Sequence, residues 1–241
     1  MSTELKSYRP RIVSFSGIDG SGKSTQIEKL RSRFAESGLS VEIISFWDQV
    51  ATFKRLRESA GRAIFKGDKG VGSPSAPINR RDKNVQSAPM TLFRWAVYFI
   101  DAVSARAVTK RAQRLHCDLV ILDRSIYDEL ANLDLTKSVH RMYAQIIARI
   151  VPAPNISYVL DAEPVQARAR KPEYPIGFLV VNRQSYLNLS KLLEGITIVP
   201  ALPIETVQLI VLERALALFD SDADRTDALK TAETCSGPVT S

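Results

Sequence analysis

The stretch Gly17-Ile18-Asp19-Gly20-Ser21-Gly22-Lys23-Ser24 constrains this chain more than any other part of it. Ile12, Val13 and Phe15 precede it as a short, buried strand pattern. Ile27, Leu30 and Phe34 follow at helical spacing, and Gly38 supplies a stop. A G-x-x-x-x-G-K-[ST] pattern set between a strand and a helix is a phosphate-binding loop. Gly17, Gly20 and Gly22 let the backbone fold into a nest of N–H donors, with Ser21 and Thr25 beside them. The helix behind adds its own N-terminal donors and positive dipole end. Lys23 is long enough to reach β- and γ-phosphates, and the Ser24 hydroxyl suits Mg²⁺. Chance alone produces such a pattern in roughly one chain of this length in a hundred, and the flanking elements lower that further. A bound nucleoside triphosphate is the expectation, while the fate of its phosphate is not decided by the loop.

With 241 residues and 45% hydrophobic content, the chain can bury one substantial core, most simply as a single α/β domain. The net charge of +7 suits polyphosphate ligands or nucleic acid. Its basic residues are spread along the chain with no long arginine-rich arm, which favours phosphate ligands over a nucleic-acid groove. The two cysteines, Cys117 and Cys235, form neither a disulfide framework nor a zinc spacing. Residues 1–10 are polar without an apolar signal core, and no stretch approaches membrane-spanning length. A soluble cytoplasmic protein is expected.

Further along, Val41, Ile43, Ile44 and Phe46 read as a second strand ending at Trp47-Asp48, and 49–66 reads as a helix. Residues 67–89 contain three glycines, three prolines and the run Asn79-Arg80-Arg81-Asp82-Lys83-Asn84. That is too long for an ordinary connector and reads as a flap or an insertion. A long helix is expected over 90–115, with Trp95, Tyr98 and Phe99, and a buried strand over 119–122 closes on Asp123-Arg124. Helical segments to about 150 stop before Pro152 and Pro154. A strand over 156–160 ends at Asp161, and a short helix carries Arg168, Arg170 and Lys171 beside Pro172 and Pro175. A helix over 177–193, a last strand over 196–199 and a helix from Pro203 to about 219 complete the pattern. The boundaries are therefore a flexible N-terminus over 1–10 and one domain over 11–219, with a lid region at 163–176, then a disordered tail over 220–241.

Strands alternating with helices imply a parallel sheet covered on both faces, with ligands at the carboxyl ends of its strands. Those ends carry the phosphate loop, Asp123-Arg124 and Asp161, which points to one shared site. Asp123 is placed to bind Mg²⁺ directly or through water, Arg124 to neutralise a phosphate, and Arg168, Arg170 and Lys171 to close as a basic lid. The plainer alternatives are a capping aspartate, a surface ion pair and a solvated basic face.

Phe15-Ser16-Gly17-Ile18-Asp19-Gly20-Ser21-Gly22-Lys23-Ser24-Thr25-Gln26 resembles the first motif of the thymidylate kinase family. Asp123-Arg124-Ser125 with Tyr127, and a basic lid before a helix containing Tyr186, fall in that family's order. The likeness spans most of 11–200. It implies a P-loop NTPase-type three-layer fold with a five-stranded parallel sheet, γ-phosphoryl transfer from ATP with Mg²⁺ to dTMP, and a homodimer. It also implies that Asp19 bonds the acceptor sugar. In that family the catalytic basic element is carried by either the loop position after that acid or the lid; Gly20 fills the loop position here, so that duty falls to Arg168, Arg170 or Lys171.

The departures lie in the acceptor half. The family's Phe-Glu-Gly is Phe15-Ser16-Gly17, without the acid. Its Arg-Glu-Pro-Gly stretch becomes Phe46-Trp47-Asp48-Gln49, and its helical arginine falls at Ala102, with Tyr98 at the base-stacking phenylalanine. Arg94 or Arg106 can substitute from the same helix, as can Arg80, Arg81 and Lys83 from the flap, and the polar group reading the base falls near Asn132. Two other functions are compatible with the sequence. A deoxynucleoside kinase, which Trp47 and Asp123-Arg124-Ser125 also resemble, would need no acceptor-phosphate arginines and would use Asp48 as its carboxylate base. A non-catalytic ATP-binding regulator would use the flap and the basic surface for a protein or nucleic acid.

Overall fold

The computed structural model describes residues 9–46 and 88–235, with side chains over 9–46 and 95–219. Five strands, β1 (Arg11–Ser16), β2 (Val41–Ser45), β3 (Leu119–Asp123), β4 (Ile156–Leu160) and β5 (Ile196–Val199), form one sheet in the order β2-β3-β1-β4-β5. Every neighbouring pair is parallel. Among the described residues there are seven helices. They are α1 (Lys23–Glu36), α2 (Ala88–Ala112), α3 (Ile126–Leu130), α4 (Ser138–Ile150), α5 (Pro164–Arg170), α6 (Ile176–Leu192) and α7 (Ile204–Cys235). This is the five-stranded, three-layer α/β architecture expected of the sequence.

The period-2 geometry of the strands sorts the core into two faces. Val13 and Phe15 of β1, Leu119 and Ile121 of β3, and Tyr158 and Leu160 of β4 share a cluster with Ile27, Leu30 and Phe34 of α1 and Val211 and Ala215 of α7. Ile12, Val120 and Leu122, one residue out of step, cluster with Ala112 of α2. Both faces of β3 are covered, which is why its sequence is a continuous apolar run and not an alternating one. Tyr158 sits fully buried, stacked on Phe15 with ring centroids 5.1 Å apart, and its hydroxyl donates to the Val211 carbonyl at 2.9 Å. That bond ties α7 to the middle of the sheet.

The strand order places the site. β1 is central, flanked by β3 and β4, so chain reversals after all three emerge at one edge. Phe15 pairs with Asp123, and the Arg124 N–H donates to the Phe15 carbonyl at 3.0 Å, extending the ladder to the mouth of the phosphate loop.

Residues from Asp220 onward read as a disordered tail, yet α7 continues to Cys235. The segment is polar, but it is rich in good helix formers and has no glycine or proline before Gly237 and Pro238. The helix expected over 49–66 lies outside the described residues, as do nearly all of the 67–89 flap and most of the N-terminal segment.

Candidate active site

The phosphate loop is shaped by left-handed glycines, as its sequence requires. Gly20 has φ 81° and Gly22 has φ 93°, a region costly for residues with a Cβ. Gly22 is the N-cap of α1 and contributes no side-chain hydrogen bond, so the first-turn N–H groups face the loop without a side-chain acceptor. Gly17 and Gly20 are also points of close approach. A Cβ on Gly17 would lie 2.6 Å from the Leu160 carbonyl oxygen, and one on Gly20 would lie 2.2 Å from that of Ala167. The second contact shows that α5, which carries Arg168 and Arg170 and is followed by Lys171 as its C-cap, packs directly on the loop.

Lys23 is buried and bends back into this nest, donating to the carbonyls of Gly17 and Ile18 at 2.9 Å each. Burial pushes its ammonium down to about 8, and Arg124 adds to that. Asp128, Asp19 and Asp123 act in the opposite sense. Asp123 ends β3, which pairs with β1 next to the loop, so its charge is felt at Lys23. Ser24 and Thr25 are exposed on the first turn of α1. One serine hydroxyl and one carboxylate fit Mg²⁺, which takes few protein ligands and completes its shell with waters and substrate phosphates. Among the described residues no cluster of three or more His, Cys, Asp or Glu would build an all-protein metal cage.

Arg124 follows β3, and its charge is felt at Lys23. Its backbone is left-handed, with φ 72°, a strained conformation for a long side chain, of the kind concentrated at functional sites. Its guanidinium bridges Asp19 at 2.7 Å and Asp128 at 3.2 Å. Burial opposes the charge on Arg124, but Asp128 and Asp19 raise its pKa further above the ordinary range. Burial alone would raise the Asp19 carboxyl, yet Arg124, Lys23 and Lys171 together hold it below the usual carboxylate range. The influence of Lys171 brings the far end of α5 to the same site. Arg170 donates to the Gln166 carbonyl at 3.3 Å within its own helix, and Lys171 pairs with Glu173 at 3.2 Å.

The acceptor half is placed differently. Arg106 is exposed and donates to the Ile150 carbonyl at 2.7 Å, at the end of α4. Tyr98 is buried in the apolar cluster that includes Phe46, Ala102 and Leu130. Asn132 donates from Nδ2 to the Asp128 carbonyl at 2.9 Å, closing the turn after α3. Trp47 and Asp48 lie outside the described residues, as do Arg80, Arg81 and Lys83. Arg94 is on α2, at a position whose side chain is not described. Asp161, expected at the shared site, is held instead by Arg183 of α6 in a two-pronged pair at 2.6 and 2.7 Å. Arg183 also reaches Glu163 at 2.8 Å, so it braces the turn between β4 and α5.

The sequence reading missed Asp128 and Arg183. Asp128 had a visible signal, since Ser125-x-x-Asp128 is a capping-box spacing and both bonds of the box are present. Arg183 had none, because its partners lie about 20 residues away.

A parallel sheet in this order, with a glycine-shaped loop after its central strand and a basic helix folded onto that loop, is a fold of the P-loop NTPase-type class. Within that class the likeness is to thymidylate kinases, as the motif over 15–26 implied. The chain is 25% identical over 195 residues to a probable thymidylate kinase of Methanosphaera stadtmanae, covering 79% of this chain and 89% of that protein. Its fold matches the crystal structure of thymidylate kinase from Ehrlichia chaffeensis with a TM-score of 0.53 at 16% identity, over 87% of this chain and 99% of the other. No protein-family model matches the chain. Among the described residues, no helix is long and apolar enough to cross a membrane.

Proposed function

We propose that this chain transfers the γ-phosphoryl group of ATP, with Mg²⁺, to a nucleoside monophosphate, and that dTMP is the acceptor. The observation that carries the reading is the pair of largely buried cations, Lys23 and Arg124, close enough for Arg124 to disfavour the charge on Lys23. Lys23 is balanced by loop carbonyls and Arg124 by carboxylates. Phosphate oxygens arriving between them would meet two preorganised positive charges in a partly desolvated site, which is how phosphoryl transfer is chiefly accelerated. An acceptor phosphate oxygen attacks the γ-phosphorus as the bond to the bridging oxygen breaks, giving ADP and a nucleoside diphosphate. That nucleophile is already anionic, so no strong general base is needed from the protein. Mg²⁺, when bound through Ser24 and Asp123, would withdraw charge from the β- and γ-oxygens.

Incubation with ATP, Mg²⁺ and each monophosphate is the test. Diphosphate from dTMP above all others is expected, and none from any monophosphate sinks the reading. A deoxynucleoside kinase is the second reading, favoured by the engagement of Arg106 with α4, which removes one candidate cation from an acceptor phosphate. Thymidine turned over in preference to dTMP would decide for it. The stripe of exposed apolar side chains Phe99, Val103, Val139, Met142 and Ile146 on α2 and α4 supports the homodimer. A monomer at all concentrations in sedimentation would remove it.

The position of Lys23 predicts the pH dependence of ATP binding. Bound triphosphate favours the ammonium, so binding above pH 8 must take up a proton that the free protein has lost. The Kd for ATP should therefore be flat between about pH 7 and pH 8 and rise by up to about tenfold per unit above that. Calorimetry in buffers of different ionisation enthalpy reads the uptake directly. A Kd independent of pH up to about 9.5 would show that Lys23 stays charged in the free loop.

A further inference from the structure

Asp128 is 5% exposed, and each of its carboxylate oxygens accepts two donors. Oδ2 takes the Ser16 hydroxyl at 2.6 Å and the Ser125 N–H at 3.0 Å, while Oδ1 takes the Tyr186 hydroxyl at 2.7 Å and Arg124 Nη1 at 3.2 Å. These donors come from the end of β1, the N-cap of α3, the middle of α6 and the turn after β3. A capping acid needs only Oδ2. The Oδ1 side has a different consequence, because it joins the arginine of the site to the helix that follows the lid. Tyr186 is buried, and burial together with Asp128 pushes its hydroxyl well above the usual range, so it remains a donor. Arg124 carries a strained backbone and two carboxylate partners, of which Asp19 belongs to the loop and Asp128 to the core. Charge-assisted bonds in a buried setting are the strong ones, and removing one partner leaves the others unsatisfied.

We infer that Asp128 is a positioning residue, a single buried carboxylate that sets the Arg124 guanidinium against the phosphate loop and registers α6, and through it the lid helix α5, to the same point. It touches no substrate. Its effect is carried by Arg124, whose contribution is largest when charge develops in the transition state, so its loss should appear in kcat more than in KM. The inference rests on the kinase reading above for its kinetic consequence, but not for its structural one.

The carboxylate is not tied to position 128. Because the Ser16 hydroxyl lies 2.6 Å from Oδ2, a longer acidic side chain from β1 can place its own carboxylate where that of Asp128 now sits. This gives a rescue that a purely capping role would not show. Asp128→Ser should lower kcat by about 100-fold, on the scale of one lost transition-state donor, with the KM for ATP changed less than about threefold. The double variant Ser16→Glu/Asp128→Ser should recover at least about tenfold of that loss. Wild-type kcat in folded Asp128→Ser, or a double variant that regains melting temperature without turnover, overturns the inference. Should Asp128→Ser fail to fold, Asp128→Asn keeps the volume and is expected to show the same kcat-selective loss.

Crystal structures of the variants separate this inference from the kinase reading. The Arg124–Asp19 contact, 2.7 Å in the native chain, should be lost in Asp128→Ser and restored in the double variant. A contact retained in the single variant refutes the positioning role whatever the activity. Wild-type protein that makes no diphosphate refutes the kinase reading, and the crystallographic result then decides the positioning role alone.

Discussion

Lys23→Ala is expected to lower phosphoryl transfer by about 10³-fold or more, because positioning and fixed charge carry most of this chemistry. The native ammonium donates to the Gly17 and Ile18 carbonyls at 2.9 Å and lies 3.5 Å from the Ser21 hydroxyl. A triphosphate must therefore draw it out of the loop's own acceptors, and the energy of that exchange is available only with a ligand in place. The variant leaves those carbonyls without the ammonium, but removing a buried, desolvated charge compensates in the fold. Its melting temperature should change little compared with its turnover. Steady-state kinetics and thermal unfolding on the same preparation check both halves. Turnover within about tenfold of the native chain would refute the site.

How far the sequence anticipated this site depends on the range of the interactions involved. The β4 and β5 bounds follow from short apolar runs over 156–160 and 196–199, and the structure places those strands at Ile156–Leu160 and Ile196–Val199. The phosphate loop was equally legible, because its signal is local: glycines where φ is positive, and lysine at a fixed offset. The environment of Asp161 was not. From the chain alone it is an acid at a strand end, like Asp123, and only the packing of α6 shows Arg183 closing on it from 22 residues away. The same holds for Arg106, whose acceptor, the Ile150 carbonyl, lies 44 residues on and offers nothing to a pattern read along one helix. Ser16 shows the reverse case. Its sequence reads as the loss of an acid, whereas the fold returns a carboxylate to that place from Asp128, 112 residues later.

Gly20 separates what the loop needs for its own shape from what it needs for the lid. Gly20 and Gly22 have similar backbone angles, φ 81° and 93°, so an added Cβ strains both alike, by about 1–2 kcal/mol. Their surroundings differ completely. A Cβ on Gly22 meets nothing within 4 Å, whereas one on Gly20 would lie 2.2 Å from the Ala167 carbonyl oxygen and 2.8 Å from its carbon. Those are backbone atoms of α5 and cannot rotate aside, so either the loop deforms or the whole helix moves. Gly20→Ala should therefore be less stable than Gly22→Ala by about 1–3 kcal/mol. In a domain of this size that difference separates the two melting temperatures by several degrees in the absence of nucleotide. Displacement of α5 also moves Arg168, Arg170 and Lys171 away from the loop. Gly20→Ala alone should then be cut faster by trypsin after Arg168 and Arg170 and should lose turnover with them. Equal melting temperatures and equal cleavage in the two variants would mean that α5 does not rest on the loop in solution, and that the basic helix reaches the phosphates only by closing over them.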